Sequence, residues 1–376
     1  MGSLGPYKKP ITRNPHLHPK AIRLGSKPMG MLEFPITAGK LAAYLNAPIL
    51  GDPEALIERV GSVQNSNQRG LCYLADKKAQ HFLSSLVQGS VVLTKKDWVR
   101  EELPITYVLV NEPKSVFAQI AKSFEPKSQW IGISDKAVIH PEAEVSSLAH
   151  VAPFAVICEG AKVGSHAVIY PHAYVGPGVQ IGERCEVHSQ VVLVANVTLG
   201  DRVRVLAGSV LGSDGFGLIE GNLGHQEIPQ VGTVIIENDV RIGAKCTIDR
   251  GTLGETRIGS GSKLDDQVHV GHNCVLGRNV ILCAQVGLAG SSVIEDGVVL
   301  AGQVGVGDHV RIGKGARVGG QTGVTHDLPG NETYFSTPAV PLKQALRSHV
   351  LVKNLSELVG RVRALEKKIN GNADGK

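Results

Sequence analysis

The sequence predicts a mainly β protein: a parallel β-helix of hexapeptide repeats, a small N-terminal α/β domain and a C-terminal α-helix. Three observations support this fold class. An aliphatic residue recurs every six residues over much of the chain, and helical apolar spacing appears on either side of that stretch. Aromatic residues make up only 4% of the 376 residues, which suits a narrow core stacked from aliphatic side chains.

Residues 1–32 are rich in Pro, Gly, His and Lys and show no periodicity, so we expect a flexible basic arm. The formal charge of +5 comes from this arm, since six basic residues precede the first acidic one. The remainder has 33 basic against 34 acidic residues. No basic surface therefore argues for nucleic acid as a partner.

Residues 33–125 predict a small α/β domain. The stretch "PITAGKLAAYLN" has a helical apolar stripe, and "SVFAQIAKSF" predicts a second helix. Between them, "SVVLTKK" and "ITYVLVNE" are typical of short strands.

Residues 126–337 carry the six-residue repeat. Fourteen consecutive aliphatic positions run from Ile133 to Leu211, and the repeat resumes from Ile236 to Ile248. It then slips by four residues and continues from Ile258 to Val324. A helix would spread a period of six around its axis, whereas three short faces of six residues close one β-helix coil of about 18 residues.

Residues 338–376 return to helical spacing. An apolar stripe with charged neighbours is formed by Leu355, Leu358, Val362, Leu365 and Ile369. Such a stripe needs a surface to bury it, so we expect a homotrimer held in part by a short C-terminal helical bundle.

Two further features limit the protein class. The six cysteines form no C-x-x-C pair, which indicates reduced thiols and a cytoplasmic protein. The chain contains no apolar run approaching 18 residues, so we expect no transmembrane segment.

Stacked coils make the neighbours of His272 predictable, because positions 18 residues apart lie one strand spacing, about 4.8 Å, from each other. His272 should point out of its coil, with the backbone N–H of Gly290 one coil away and His309 in the coil beyond. Asp265, in the preceding repeat, is expected to orient the imidazole. A base, an orienting group and an amide donor around one groove would suit acyl transfer.

Two alternatives stay open from the residues alone. Most of the 14 histidines fall at solvent-facing repeat positions, and His269 could be a substrate contact or simple surface. His269, His272 and His309 could also hold zinc between subunits, as in the β-helical carbonic anhydrases.

Four stretches carry a family resemblance: "VLGSDGFGL", "EIPQVGTVII", "TIDRGTLGET" and "LDDQVHVGHN". Over residues 33–370 the chain resembles the UDP-3-O-acylglucosamine N-acyltransferases of lipid A biosynthesis. The resemblance implies a uridine-binding domain over residues 33–125 and a left-handed β-helix over 126–337. It also implies that 338–376 serve trimerisation and carrier-protein contact.

The resemblance implies transfer of an R-3-hydroxyacyl group from acyl carrier protein to the 2-amino group of UDP-3-O-(3-hydroxyacyl)-glucosamine. The family's positions give His272 as general base and Asp265 as its orienting carboxylate. Gly290 supplies the oxyanion-hole amide and His309 a supporting role. No metal and no bound cofactor are implied, since the donor carries the 4′-phosphopantetheine of the carrier protein.

The same resemblance implies substrate contacts from Phe216 and Asn273, with Tyr73 and Asp76 in the nucleotide domain. At Asp76 the family has Asn, and it has a second aromatic residue where this chain has Ala79. His269 matches a substrate contact in the related UDP-N-acetylglucosamine O-acyltransferase of the same pathway, which is the alternative function.

The helix that begins near Pro341 resembles the family's carrier-protein surface. Its exposed basic residues would steer an acidic carrier protein, and they are Lys343, Arg347 and Lys353.

Overall fold

The computed structural model describes residues 34–64, 70–124, 130–221 and 224–371, with side chains to residue 366. The chain forms two compact units, Met1–Lys127 and Ser128–Lys376. The arm predicted over residues 1–32 lies outside the described residues.

The first unit contains the predicted α/β elements. Its four-stranded sheet has the order Ile49–Leu50, Thr106–Leu109, Val91–Thr94 and Leu71–Tyr73, with the last three strands parallel. A second sheet pairs Ile36–Thr37 with Leu56–Ile57 in antiparallel fashion. The α-helices are Ala38–Leu45 and Pro113–Ala121, and the 3-10 helices are Lys77–Ser85, Lys96–Trp98 and Lys122–Phe124.

Local sequence explains where these two α-helices begin and end. The Thr37 hydroxyl accepts a hydrogen bond from the Lys40 N–H at 3.4 Å, which caps the first helix. Asn46 ends that helix in the left-handed conformation, with φ of 48°. Pro113 stands at the start of the second helix, where its missing N–H costs no helical hydrogen bond.

The second unit is the predicted β-helix, and the expected period of 18 residues is confirmed. Parallel strands pair Val156 with Tyr174 and Ile157 with Val175, one coil apart. The ten-stranded face consists of Val138–Ile139, Val156–Ile157, Tyr174–Val175, Val192–Leu193, Val210–Ser213, Thr247–Asp249, His269–Val270, Gly287–Leu288, Gly305–Val306 and Gly323–Val324.

The other two faces follow the same register. The nine-stranded face consists of Glu144–Val145, Lys162–Val163, Gln180–Ile181, Thr198–Leu199, Thr233–Ile236, Glu255–Ile258, Val275–Leu276, Val293–Ile294 and Arg311–Ile312. The eleven-stranded face consists of His150–Val151, Val168–Ile169, Glu186–Val187, Arg204–Val205, Arg241–Ile242, Lys263–Leu264, Ile281–Leu282, Val299–Leu300, Arg317–Val318, Thr333–Phe335 and Val340–Pro341.

The aliphatic residue of each repeat fills the core, as predicted. Val187, Leu193 and Leu199 are buried, as are most members of the series in the other coils. Corner residues turn the chain between faces in the left-handed region, and they include Asn279 at φ of 55° and Gln267 at φ of 61°. Side chains other than Gly and Asn therefore occupy these corners.

Both irregularities in the repeat are insertions that leave the coil stack intact. An antiparallel hairpin, Leu218–Gly221 with Gly224–Glu227, follows Val210–Ser213, and the strands on either side of it still pair Leu199 with Ile236. The slip of four residues appears as pairing of Ile242 with Leu264. Both insertions project from the stack beside the ten-stranded face, where the strands Val210–Ser213 and Thr247–Asp249 end.

The C-terminal segment forms two helices, Leu342–Lys353 and Leu355–Gly371, so the prediction of one continuous helix is wrong. Asn354, at φ of −95° and ψ of 5°, interrupts it. In the second helix Leu355, Leu358 and Val362 of the apolar stripe are 45–53% exposed within the single chain. The side chain of Ile369 lies outside the described residues.

All six cysteines are unpaired. Four of them are buried and are called here the four buried thiols: Cys72, Cys185, Cys246 and Cys274. Burial raises the pKa of Cys72 to about 12 and the pKa values of the other three to about 11. Over the described ranges, no helix is both long and apolar enough to cross a bilayer.

Candidate active site

One elongated cavity of about 810 Å³ runs along the ten-stranded face, across four successive coils. It begins at His269 and His272, passes Gly287–Gly290 and Gly305–His309, and reaches Gly323–Thr325. Phe216, whose side chain is 86% exposed, stands in the "DGFG" stretch at its edge. The cavity therefore follows the coil axis for about 14 Å, because three coil steps of roughly 4.8 Å separate its ends.

The His272 ring lies between two glycines. A Cβ atom added to Gly290 would come within 2.6 Å of both Cε1 and Nε2 of His272. On the other side, a Cβ atom added to Gly215 would lie 2.6 Å from the His272 Cβ. Both positions need glycine because any side chain there would displace the imidazole.

The hydrogen-bond partners of His272 determine its tautomer. The Nδ1 atom lies 3.2 Å from Asn273 Oδ1 and 3.5 Å from Thr252 Oγ1. The Thr252 hydroxyl donates its own proton to Gln230 Oε1 at 2.9 Å, so it offers His272 only a lone pair. Nδ1 must then carry the proton, which leaves the Nε2 lone pair against Gly290 as a base.

The Gly290 N–H is free to bind a ligand. Its carbonyl accepts the His309 N–H at 3.1 Å, which holds the peptide, but its N–H has no acceptor among the residues that the structure describes. Pro141 and Pro177 occupy the corresponding position in earlier coils of this face. The coil geometry therefore requires no hydrogen bond from this N–H, and a ligand in the cavity can accept it.

A buried carboxylate, Asp249, lines the same cavity and is only 7% exposed. Its Oδ1 accepts the Ser213 hydroxyl at 3.0 Å, and its Oδ2 lies 3.8 Å from His269 Nε2. His269 Nδ1 is 2.8 Å from Thr247 Oγ1. Burial raises the pKa of Asp249, while His269 and the Ser213 hydrogen bond oppose that rise.

His309 lies at the cavity with an exposed side chain, two coils from His272. Its backbone is in the left-handed region, at φ of 57°. The structure therefore brings together four predicted site residues around one cavity, namely His269, His272, Gly290 and His309, together with Phe216.

The structure does not bring Asp265 to His272, which corrects the predicted orienting carboxylate. Asp265 follows the strand Lys263–Leu264 of the eleven-stranded face, is exposed, and accepts the Asp266 N–H at 2.9 Å. Each face takes six residues, so a residue seven before His272 belongs to the preceding face. Asn273 and Thr252 hold the His272 ring in its place.

Asn273 also differs from its predicted role as a substrate contact, since it does not line the cavity. Its Oδ1 accepts the Thr252 N–H at 2.9 Å and its Nδ2 donates to the Leu253 carbonyl at 2.7 Å. Both atoms of the amide are thus used to hold the inserted loop beside His272. Asn273 positions the base instead of contacting the ligand.

The predicted nucleotide contacts lie in the first unit. Tyr73 is half-buried at the end of its strand, with its ring centroid 4.7 Å from that of Phe117. The Asp76 carboxylate accepts the Ala79 N–H at 3.0 Å and caps the 3-10 helix Lys77–Ser85. Lys343, Arg347 and Lys353 of the second unit are exposed on the helix Leu342–Lys353.

Sequence reasoning missed Asp249, Thr252 and Gly215 as parts of the site. Asp249 and Thr252 stand in "TIDRGTLGET", and Gly215 stands in "VLGSDGFGL". A polar residue following an inward aliphatic position, next to an insertion in the repeat, was the available signal for Asp249. Among the described residues, no group of three or more His, Cys, Asp or Glu side chains could hold a metal ion.

Comparison with known proteins identifies the family. A family model described as bacterial transferase hexapeptide (six repeats) matches residues 160–195 and 255–290. A UDP-3-O-acylglucosamine N-acyltransferase from Dechloromonas aromatica is 50% identical over 336 residues, which cover 89% of this chain and 96% of that protein. One from Porphyromonas gingivalis is 47% identical over 341 residues, covering 90% and 97%.

The chain belongs to the UDP-3-O-acylglucosamine N-acyltransferase family. It is therefore an acyltransferase. Its fold is also similar to that of a solved UDP-N-acetylglucosamine acyltransferase from Arabidopsis, with a TM-score of 0.50. That match covers 58% of this chain and 76% of the Arabidopsis chain at 24% identity, so it bears on the fold alone.

Proposed function

We propose that this enzyme transfers an R-3-hydroxyacyl group from acyl carrier protein to the 2-amino group of UDP-3-O-(3-hydroxyacyl)-glucosamine in lipid A biosynthesis. His272 acts as the general base. The observation that carries the proposal is the pairing of an unprotonated His272 Nε2 with the free Gly290 N–H in one cavity.

His272 handles the proton of the attacking amine. As the amine nitrogen bonds to the thioester carbonyl carbon, it must lose a proton, and Nε2 accepts it. The positive charge that forms on the ring is shared with the oxygen atoms of Asn273 and Thr252 near Nδ1. These neutral acceptors keep the ring in the productive tautomer.

Gly290 stabilises the opposite charge. The carbonyl oxygen of the thioester becomes an oxyanion as the tetrahedral intermediate forms, and the Gly290 N–H donates a hydrogen bond to it. When the intermediate collapses, the carbon–sulfur bond breaks and the leaving thiolate takes the proton from His272. The products are the amide and the free thiol of the carrier protein's 4′-phosphopantetheine, and this chain needs no resident cofactor.

A strip of glycines gives the cavity room for an extended chain. Strand register places Gly287, Gly305 and Gly323 in one column beyond His269. A Cβ atom added to Gly287 or Gly305 would meet no atom within 4 Å. At Gly323 it would meet the Thr337 side chain at 2.8 Å, so the open strip ends there. An acyl chain or a pantetheine arm suits this shape.

The other parts of the proposal rest on separate features. The Tyr73 ring, packed on Phe117, offers a stacking surface for uracil, with Asp76 close by in sequence. Lys343, Arg347 and Lys353 offer an exposed basic surface to the acidic carrier protein. The exposed apolar stripe of the last helix supports a homotrimer, and six unpaired cysteines support a reducing, cytoplasmic setting.

The test is steady-state acylation followed by mass spectrometry, with a panel of 3-hydroxyacyl carrier proteins and two acceptors. The acceptors are the 3-O-acylated UDP-glucosamine and UDP-N-acetylglucosamine. We expect N-acylation of the first, and His272→Ala should lower kcat by about 10² to 10⁴. His269→Ala should keep most turnover, and His309→Ala should fall between the two.

The control is His225→Ala, which alters an exposed histidine of the inserted hairpin. It should match the wild type. Acylation of UDP-N-acetylglucosamine alone would favour the O-acyltransferase alternative. Near-normal turnover of His272→Ala, with loss in His269→Ala, would move the base to position 269.

A further inference from the structure

The Asp249 carboxylate is a buried anion with an open oxygen beside the reacting groups. A register shift between Leu211 and Ser213 pairs Ser213 with Asp249, and the Ser213 hydroxyl holds Oδ1 at 3.0 Å. The 3.8 Å between Oδ2 and His269 Nε2 is too long for a hydrogen bond. Oδ2 therefore keeps acceptor capacity while the carboxylate faces the cavity.

Amide formation at a sugar amine has a requirement that ester formation lacks. A primary amine near neutral pH is largely an ammonium ion, which has no lone pair for attack. The balanced reaction takes R–NH₃⁺ and a thioester to an amide, a thiol and one proton released to solvent. An amine acceptor therefore enters the cavity carrying a positive charge, and a hydroxyl acceptor enters neutral.

We propose that Asp249 binds the protonated 2-amino group of the acceptor sugar and so selects an amino sugar over a hydroxyl sugar. This inference rests on the proposed function. A hydrogen bond between two charged groups is stronger than one between neutral groups, most of all where one partner is already shielded from water. Ser213 fixes the carboxylate in advance, so ammonium binding orders no flexible side chain.

The groups around the carboxylate leave it as the anion of this end of the cavity. His269 approaches Oδ2, and its other ring nitrogen is engaged by Thr247. His272 and Asp214 are the other charged or titratable groups that act on Asp249. Asp214 is exposed, so solvent screens it, whereas Asp249 is shielded.

The experiment is isothermal titration in the absence of acyl donor, with two ligands at pH 7. One ligand is the 3-O-acylated UDP-glucosamine, and the other is its 2-hydroxy counterpart, the 3-O-acylated UDP-glucose. The wild type should bind the amino sugar at least about tenfold more tightly, as expected for a charge-assisted hydrogen bond. Asp249→Asn should reduce that preference to less than about threefold and leave binding of the hydroxyl sugar unchanged.

Asp135→Asn is the matched control, because Asp135 is an exposed carboxylate in the first coil of the same unit. It should keep the full preference. A second measurement needs no variant: at pH 9 the sugar amine has lost its proton, so the wild-type preference should shrink. This measurement tests the inference even if Asp249→Asn fails to fold.

Three results would overturn the inference: no preference in the wild type, an unchanged preference in folded Asp249→Asn, or a preference that persists at pH 9. The proposed function is judged separately by wild-type N-acylation. An enzyme that N-acylates the sugar without preferring the ammonium form would contradict this inference alone.

Discussion

Gly290→Ala should disable the base while leaving the oxyanion donor in place. Alanine keeps the backbone N–H, and the new methyl group would lie 2.6 Å from Cε1 and Nε2 of His272. An ordinary contact begins at 3.4 Å, so the ring must retreat by roughly 0.8 Å. That shift would break the contacts of Nδ1 with Asn273 at 3.2 Å and Thr252 at 3.5 Å.

We expect kcat to fall by about 10²-fold, since misplacing a reacting group by about 1 Å costs this much. The assay is steady-state acylation, with the Michaelis constant for the sugar nucleotide expected to change little. Gly287→Ala is the matched control, because it adds the same methyl group to the same coil of the cavity and meets no atom within 4 Å.

A double-mutant cycle tests whether the effect acts through the imidazole. Adding Gly290→Ala to His272→Ala should cost little further activity, because the ring that it displaces is gone. The reasoning is refuted if Gly290→Ala works within about twofold of Gly287→Ala. It is also refuted if the two substitutions lower the rate additively.

Three further results are expected. Ending the chain at residue 354 removes the exposed apolar stripe and should convert the trimer to smaller species by light scattering; an unchanged mass would contradict the assigned stripe. Tyr73→Ala removes a ring surface worth about 1 kcal/mol, so the sugar-nucleotide Michaelis constant should rise about fivefold with kcat little changed. The raised pKa values mean that at pH 8 only about one in a thousand or fewer of the four buried thiols is a thiolate. An alkylating reagent should therefore modify Cys158 and Cys283 first, as mass spectrometry would show, and reach the four buried thiols only after denaturation.

The sequence alone determined the β-helix and part of its site. The period of six and the interruptions could be counted, and a coil of 18 residues follows because three faces close each turn. No insertion separates His272 from Gly290, so the arithmetic of one coil correctly stacks them. Each inward position also follows from the count, as the burial of Leu193 and Leu288 shows.

Only the tertiary structure decided which carboxylate meets the histidines. Asp265 is close to His272 in sequence but follows a strand of another face, whereas Asp249 lies on the same face, where Thr247 pairs with His269. Two insertions break the count of 18 around Asp249, and the hairpin insertion also brings Gly215 against the ring. A regular repeat can be counted from sequence, but the path of an inserted loop depends on the contacts that it makes after folding.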